Sequence, residues 1–360
     1  MEHEPRGPAN LERMKHGARG LPVLTAIVAA ATLLSACSSG SDGRATATSA
    51  APGTSLANVA SGTARPSTTG ATGSVTAATA PWKLAEPVAR EIVVTTGTDL
   101  EIIGGLDHTK YSTTAVVVVD PATGAAQTPA KLAEAVHDAA GAALNGRVLV
   151  FGGGGPSENG TPDVQAVPAS GSATIVGKLP QPRSDHEAAT VGNRTYVFSG
   201  YDGSAFLPSV VSTTDGRNFT TVGNLAVPVR YAAIAEVGKT IYLLGGVADA
   251  AGHDTAAIQA LDTATGTITQ VAQLPTTVSH ASAVTIGGRV YVLGGFVNNS
   301  SLSDQILRFD PATKTTTAIG ELPFPVSDAA ATVIAGKGYL VGGESTERNP
   351  LTSVVVVAAT

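Results

Sequence analysis

Arg90, Asp138, Asp185, Tyr231, His280 and Asp328 stand 48, 47, 46, 49 and 48 residues apart, each at the head of a similar 16-residue stretch. Three carboxylates, a guanidinium, an imidazole and a phenol gathered in one place suit a polar, hydroxylated or mixed-charge ligand. The imidazole and carboxylates could also move a proton. Arg183 and His186 flank the third of these residues and join the candidate ligand-binding set. The bland alternative is that Asp, Ser and His at the start of a strand satisfy backbone groups of a turn. The six residues therefore matter as a set, and only if the fold brings them together.

Other chemistry is poorly supported. Seven histidines include no HxxH or HExxH spacing, and the lone cysteine, Cys37, excludes a thiolate zinc site. No Asp-rich calcium loop and no GxSxG elbow occur. Gly152–Gly155 has the look of a phosphate cradle, but no helix follows it. Neighbouring pairs such as Asp107-His108, His137-Asp138, Asp185-His186 and His253-Asp254 read as loop polarity, because adjacent residues rarely face each other. No catalytic residue, cofactor or metal ligand is assigned.

The elements that must position the six residues are legible. The stretches are Arg90–Gly105, Asp138–Gly153, Asp185–Gly200, Tyr231–Gly246, His280–Gly295 and Asp328–Gly343; all end in Gly-Gly except the third, which has Ser199-Gly200. Within each, small apolar residues precede a short turn (Asn-Gly, Gly-Lys or Gly-Gly) and a second strand such as VYVLGG, which is a hairpin pattern. A third strand follows (TAVVVVD, IQALD, QILRFD), ending in an Asp-opened turn, then a fourth that runs through Leu-Pro into the next copy. A leucine stands six residues before every copy: Leu84, Leu132, Leu179, Leu225, Leu274 and Leu322. Each is expected to plug the packing between neighbouring units. Self-similarity at this period is the mark of a propeller, here of six blades. The last copy has a third strand, 351–358, and no fourth, whereas TAATAPWKLAEP precedes the first copy. Residues near 76–85 are thus expected to complete the last blade and close the ring, leaving no open sheet edge. The first residues of the six copies then ring one mouth of the axial channel. The loops after the glycine pairs open on the same face, bringing Asp107, His108, Ser157, Glu158, Asn159, Tyr201, Asp202, His253, Asn298, Asn299, Glu344 and Arg348.

Composition narrows the partners. Charged residues are 14% of the 360, and the net charge of −6 argues against nucleic acid. Arg13, Lys15 and Arg19 precede an apolar run, 21–34, that leads into Leu34-Ser35-Ala36-Cys37. This is an export signal over residues 1–36, and its ending resembles a bacterial lipobox whose cysteine, Cys37, receives the lipid. Translation from Met1 or from Met14 gives the same mature chain. Residues 37–74, rich in Ser, Thr, Ala and Gly, read as a disordered tether, and 75–360 as the propeller.

The glycine pairs, Leu-Pro endings, Tyr111 and Trp82 resemble kelch repeats, over about residues 76–360. The resemblance implies an all-β, six-bladed kelch-type propeller, a fold that mostly serves as a binding platform. Its galactose-oxidase branch requires a free cysteine beside a copper-binding tyrosine, which this chain lacks. Its sialic-acid mutarotase branch requires only polar mouth residues, for which Arg90, Arg183, His186 and His280 are candidates. The resulting expectation is a monomeric binding module, anchored to the outer surface of the cell membrane through Cys37 and presenting one face to a protein or glycan. The alternatives are a sugar-active enzyme and a structural envelope protein.

Overall fold

The computed structural model of the protein describes residues 74–155 and 160–359. The export signal, Cys37 and nearly all of the tether lie outside the described residues, as do Ser157, Glu158 and Asn159. Among the described residues there is no helix; the chain forms six antiparallel sheets of the expected hairpin-plus-two pattern.

The first blade comprises Ile92–Thr96, Asp99–Ile103, Thr113–Val119 and Ala126–Val136; the short strand Gly171–Ser172 adds to its outer edge. The second comprises Ala140–Leu144, Arg147–Phe151, Asp163–Val167 and Thr174–Lys178. The third to fifth begin at the inner strands Glu187–Val191, Ala233–Val237 and Ser282–Ile286. Each inner strand packs on the next, and that of the sixth blade, Ala330–Ile334, returns to Ile92–Thr96, so the ring is closed.

Closure follows the expected route. Val75–Thr79 is the outermost strand of the sixth blade, paired antiparallel with Val354–Ala359, Val75 opposite Ala359 and Thr79 opposite Val355. The third strand of this blade begins at Val354 rather than at residue 351; Leu351 instead bridges Val88 on the way into the first copy. Backbone bonds from Ala80 to Val354 and from Leu84 to Thr352 continue the seam. Because Gly342 near the mouth pairs with Ser353, the third strand runs from the mouth toward the opposite face. Val75 therefore lies at the foot of the blade, away from the mouth.

The hydrophobic cores lie between blades, not within them. Six buried clusters each join residues of two neighbouring blades. Each contains one of the six leucines; Leu132 is 1% exposed, and Leu84 alone is only partly buried. Burying a leucine side chain contributes about 1.5–3 kcal/mol, so this column fastens every blade to its neighbour. Tyr111, by contrast, is exposed and packs no core.

The glycine pairs have two physical reasons. Both members take left-handed backbone angles, for instance φ of 66° at Gly245 and 104° at Gly246. The first also lies under the neighbouring blade: a Cβ on Gly245 would stand 2.2 Å from the carbonyl oxygen of Val278. Ser199, the exception, keeps φ at 55° and turns its hydroxyl to use, donating toward Val229 O at 2.8 Å and accepting from Val229 N at 2.7 Å.

Candidate functional site

The six repeat-leading residues meet in a closed ring of backbone hydrogen bonds. Each donates its N–H to the carbonyl of its predecessor: Asp138 to Arg90, Asp185 to Asp138, Tyr231 to Asp185, His280 to Tyr231, and Asp328 to His280. Arg90 shuts the circle by donating to Asp328 at 2.8 Å. All six are left-handed, with φ between 50° and 57°. This turn lets the chain pass from a rim bridge, where the preceding residue pairs with the one after each glycine pair, into the inner strand. The ring crowns an axial cavity of about 180 Å3, lined lower down by small residues such as Ala140, Ala233 and Ser282 and by Glu187.

The side chains of the ring form two different arcs. On one side Arg90 donates to Glu344 at 2.7 Å and to Asp138 at 3.1 Å. On the other, Arg230 donates to Asp185 at 2.6 Å through Nε and to the Tyr231 hydroxyl at 3.2 Å, and its guanidinium lies 4.4 Å above the Tyr201 ring. Tyr231 stacks on His280 with centroids 3.8 Å apart, and Phe296 meets His280 edge-on. His280 Nδ1 lies 2.6 Å from Asp328 Oδ1 and closes the circuit back toward Arg90.

These contacts set the electrostatics. Burial pushes the Asp138 carboxyl well above its usual range; Arg90 opposes this, and Asp185 and Asp328 add to it. At Asp328 burial raises the carboxyl, but His280 and Arg90 outweigh it and the net direction is down. Its Oδ2 is buried without a hydrogen-bond partner. Glu187 is raised to about 8 by burial and then by Asp138. Burial likewise raises Glu91, to about 8, and its Oε2 has no hydrogen-bond partner.

The fold thus gathers Arg90, Asp138, Asp185, Tyr231, His280 and Asp328, places His186 buried in the lining of the cavity next to Asp185, and sets Arg183 apart. Arg183 is fully buried, donating to the carbonyl of Ser199 at 3.0 Å and to Ser209 Oγ at 3.2 Å. It occupies the position held by Val88, Val136, Val229, Val278 and Val326 in the other copies, which points inward between blades. His186 is 3% exposed, its imidazole held well below its usual range by burial and by Arg183.

Arg230, Glu91 and Glu187 complete the site, and the sequence reading passes over all three. Arg230 lies one residue upstream of the column of ring residues. Glu91 and His186 share a column that is alanine in the other four copies, and Glu187 stands in the next, otherwise filled by Ile92, Ala140, Ala233, Ser282 and Ala330. Of the loop residues, Glu344, Tyr201 and Arg348 reach the mouth, Arg348 lying 5.5 Å above Phe296. Asn299 exchanges hydrogen bonds with Asp254, tying two rim loops together. Asp107 and Asp202 serve their own turns, accepting from Thr109 and Ser204.

Residues 278–315 match the Kelch motif. The chain is also similar to the solved structure of YjhT, with a TM-score of 0.67 and 16% identity over 77% of this chain and 99% of that one. At that identity the likeness speaks for the fold alone. No curated protein matches this chain in sequence. The motif and the fold together make this a kelch-type propeller.

Proposed function

We propose that this kelch-type propeller is a recognition module whose mouth holds a hydroxyl-rich ligand, such as the exposed end of a glycan. One observation carries the reading. The ring imposes a left-handed backbone at all six leading positions, where Gly, Asn or Asp is cheapest. Arg90, Tyr231 and His280 occupy three of them nonetheless, each at a cost of about 1–2 kcal/mol. Side chains kept against that cost are kept for what they do at the mouth, which also speaks against a purely structural role.

The chemistry selects the ligand class. Both ring guanidiniums are already engaged, Arg90 by two carboxylates and Arg230 by Asp185 and Tyr231. An anionic group would have to displace an internal carboxylate, whereas hydroxyl donors find carboxylate acceptors in place at Asp138, Asp185 and Asp328. The aromatic arc of Tyr201, Tyr231, His280 and Phe296 adds apolar faces beside those acceptors, a combination suited to a sugar ring. Recognition of a carboxylated sugar by an enzyme is the second reading. It loses support because Arg183, one of its four candidate groups, is fully buried away from the mouth.

Cys37 supplies the rest of the reading: lipid attachment would hold the module at the outer surface of the cell membrane. The closing strand begins at the foot of the sixth blade, at the end away from the mouth. Titration calorimetry with neutral and carboxylated oligosaccharides tests the mouth. The expected result is a neutral ligand whose affinity falls at least tenfold in Asp328→Asn and His280→Ala. Unchanged affinity in both variants would remove the mouth as the binding site. Palmitate incorporation that persists in Cys37→Ser would remove the anchor.

A further inference from the structure

At the rim of the mouth, Ser112 and His137 form a hydrogen-bonded pair that recognition does not require. Ser112 Oγ lies 2.8 Å from His137 Nδ1, and His137 Nε2 lies 3.7 Å from Asp138 Oδ2. Ser112 comes from the end of the first blade's rim loop, where it bridges Leu106. His137 follows the end of the first blade's fourth strand, one residue before the second copy, and is bridged to Gly154. The two residues flank the register pair of Thr113 and Val136 in the first blade's third and fourth strands, which brings them together across 25 residues of sequence.

The second blade is modified to admit this imidazole. The residue after the glycine pair is Leu106, Tyr201, Val247, Phe296 or Glu344 in the other copies, and Gly154 here. A Cβ on Gly154 would stand 2.7 Å from His137 Cε1 and 2.8 Å from Nε2, so a side chain there would push the ring out of its present place. Its backbone is fixed as well, by paired hydrogen bonds with Gly154 at 2.9 and 2.8 Å. The His137 side chain remains 24% exposed at the mouth. Burial and the charge of Arg90 hold the imidazole below its usual range, so it is neutral and proton-accepting at neutral pH.

We propose that Ser112 and His137 are a nucleophile and its general base, acting on an O-acyl ester carried by the hydroxylated ligand. A serine within hydrogen-bond reach of a fixed, neutral imidazole is the arrangement nucleophilic acyl transfer needs. Ser112 Oγ bonds to the ester carbonyl carbon as its proton passes to His137 Nδ1. The tetrahedral adduct collapses by breaking the bond to the alcohol oxygen, which takes that proton from His137. Water, deprotonated by the same imidazole, then attacks the acyl-serine, releases the carboxylic acid and restores Ser112. Arg90 is the cation beside the pair; its N–H groups stay on Glu344 and Asp138 while its charge acts on the imidazole. Asp138 is a positioning residue, facing the opposite edge of the imidazole.

The inference rests on the mouth being a ligand site, and one experiment separates the two. The full chain is treated at pH 7.5 with a fluorophosphonate probe, and the tryptic peptide spanning residues 111–131 is weighed. Acetyl-ester hydrolysis by wild type, Ser112→Ala and His137→Asn is followed in parallel, with melting curves confirming that each variant is folded. The expected results are a probe adduct on Ser112, its absence in both variants, and hydrolysis at least a hundredfold above Ser112→Ala. An unlabelled peptide from wild-type protein overturns the inference even if a variant fails to fold. So does hydrolysis that is equal in wild type and Ser112→Ala. An unlabelled chain that still binds its oligosaccharide removes the dyad alone; one that binds nothing removes both readings.

Discussion

The indole of Trp82 lies against Gly124, and its Nε1 donates to the carbonyl of Pro121 at 3.2 Å. The contact crosses from the blade closed by the N-terminal strand to the first blade of the ring. Trp82 thus completes a closure begun by the backbone pairing of Val75–Thr79 with Val354–Ala359. A side chain at Gly124 would occupy the same space, since a Cβ there falls 2.4 Å from the indole.

Trp82→Ala is accordingly expected to destabilise the ring by about 2–3 kcal/mol, at the low end for a large aromatic because the indole is only partly buried. Truncation through residue 86 is expected to lower the melting temperature further and broaden the transition, whereas truncation through residue 73 leaves both unchanged. Calorimetry of the three proteins decides the matter. Equal melting of the two truncations would mean that the seam contributes nothing.

The glycines separate into two kinds. At Gly97, φ is 64° and nothing lies near an added Cβ, so Gly97→Ala carries backbone strain alone, about 1 kcal/mol. Gly245→Ala adds a collision with the Val278 carbonyl and is expected to cost at least about 3 kcal/mol. Urea midpoints of the two variants test the difference.

Stability should fall on both sides of mildly acidic pH. Glu91 is raised to about 8, so the folded state binds more protons than the unfolded one above pH 4.5. Its contribution is therefore complete below about 4.5 and is lost as pH rises through 8, by up to about 1.4 kcal/mol per pH unit. His186 is depressed, so its contribution is present above about 6.5 and is lost on acidification. Glu91→Gln is expected to flatten the alkaline loss and His186→Phe the acidic one, read as melting temperature between pH 4 and 9.

Arg183 tests the boundary between scaffold and mouth. Burial without a carboxylate partner pulls its guanidinium down to about 10. Arg183→Ala leaves a cavity and an unpaired Ser199 carbonyl, at a cost of about 2–4 kcal/mol. Arg183→Met fills the space and removes the isolated buried cation, and should stay within about 1.5 kcal/mol of wild type. Neither should change ligand affinity. A tenfold loss in Arg183→Met, measured by calorimetry on folded protein, would return this residue to the site.

What the sequence disclosed and what it hid have physical causes. The glycine pairs and leucines were legible because backbone sterics and interblade packing make the same demand on every copy. The convergence of Arg90 with Asp328 followed from the same periodicity. The arrangement of side chains around the ring did not, because it depends on what each copy changes. Arg230 reaches Asp185 from a position that is Ala, His or Ser elsewhere, and the His137 ring lies where a side chain at position 154 would stand. Arg183 could have been recognised as interior, since it stands in a column of valines.

The seam also gives the propeller a mechanical polarity. A pull on the chain ahead of Val75 is delivered to the outermost strand from the foot of the blade. It would open the pairs in turn, Val75 from Ala359 first and Thr79 from Val355 last, before reaching the latch of Trp82 on the first blade. The ring then behaves as a clasp. Load applied at the foot meets the seam one bond at a time, while load applied at the mouth is shared by the ring of six hydrogen bonds.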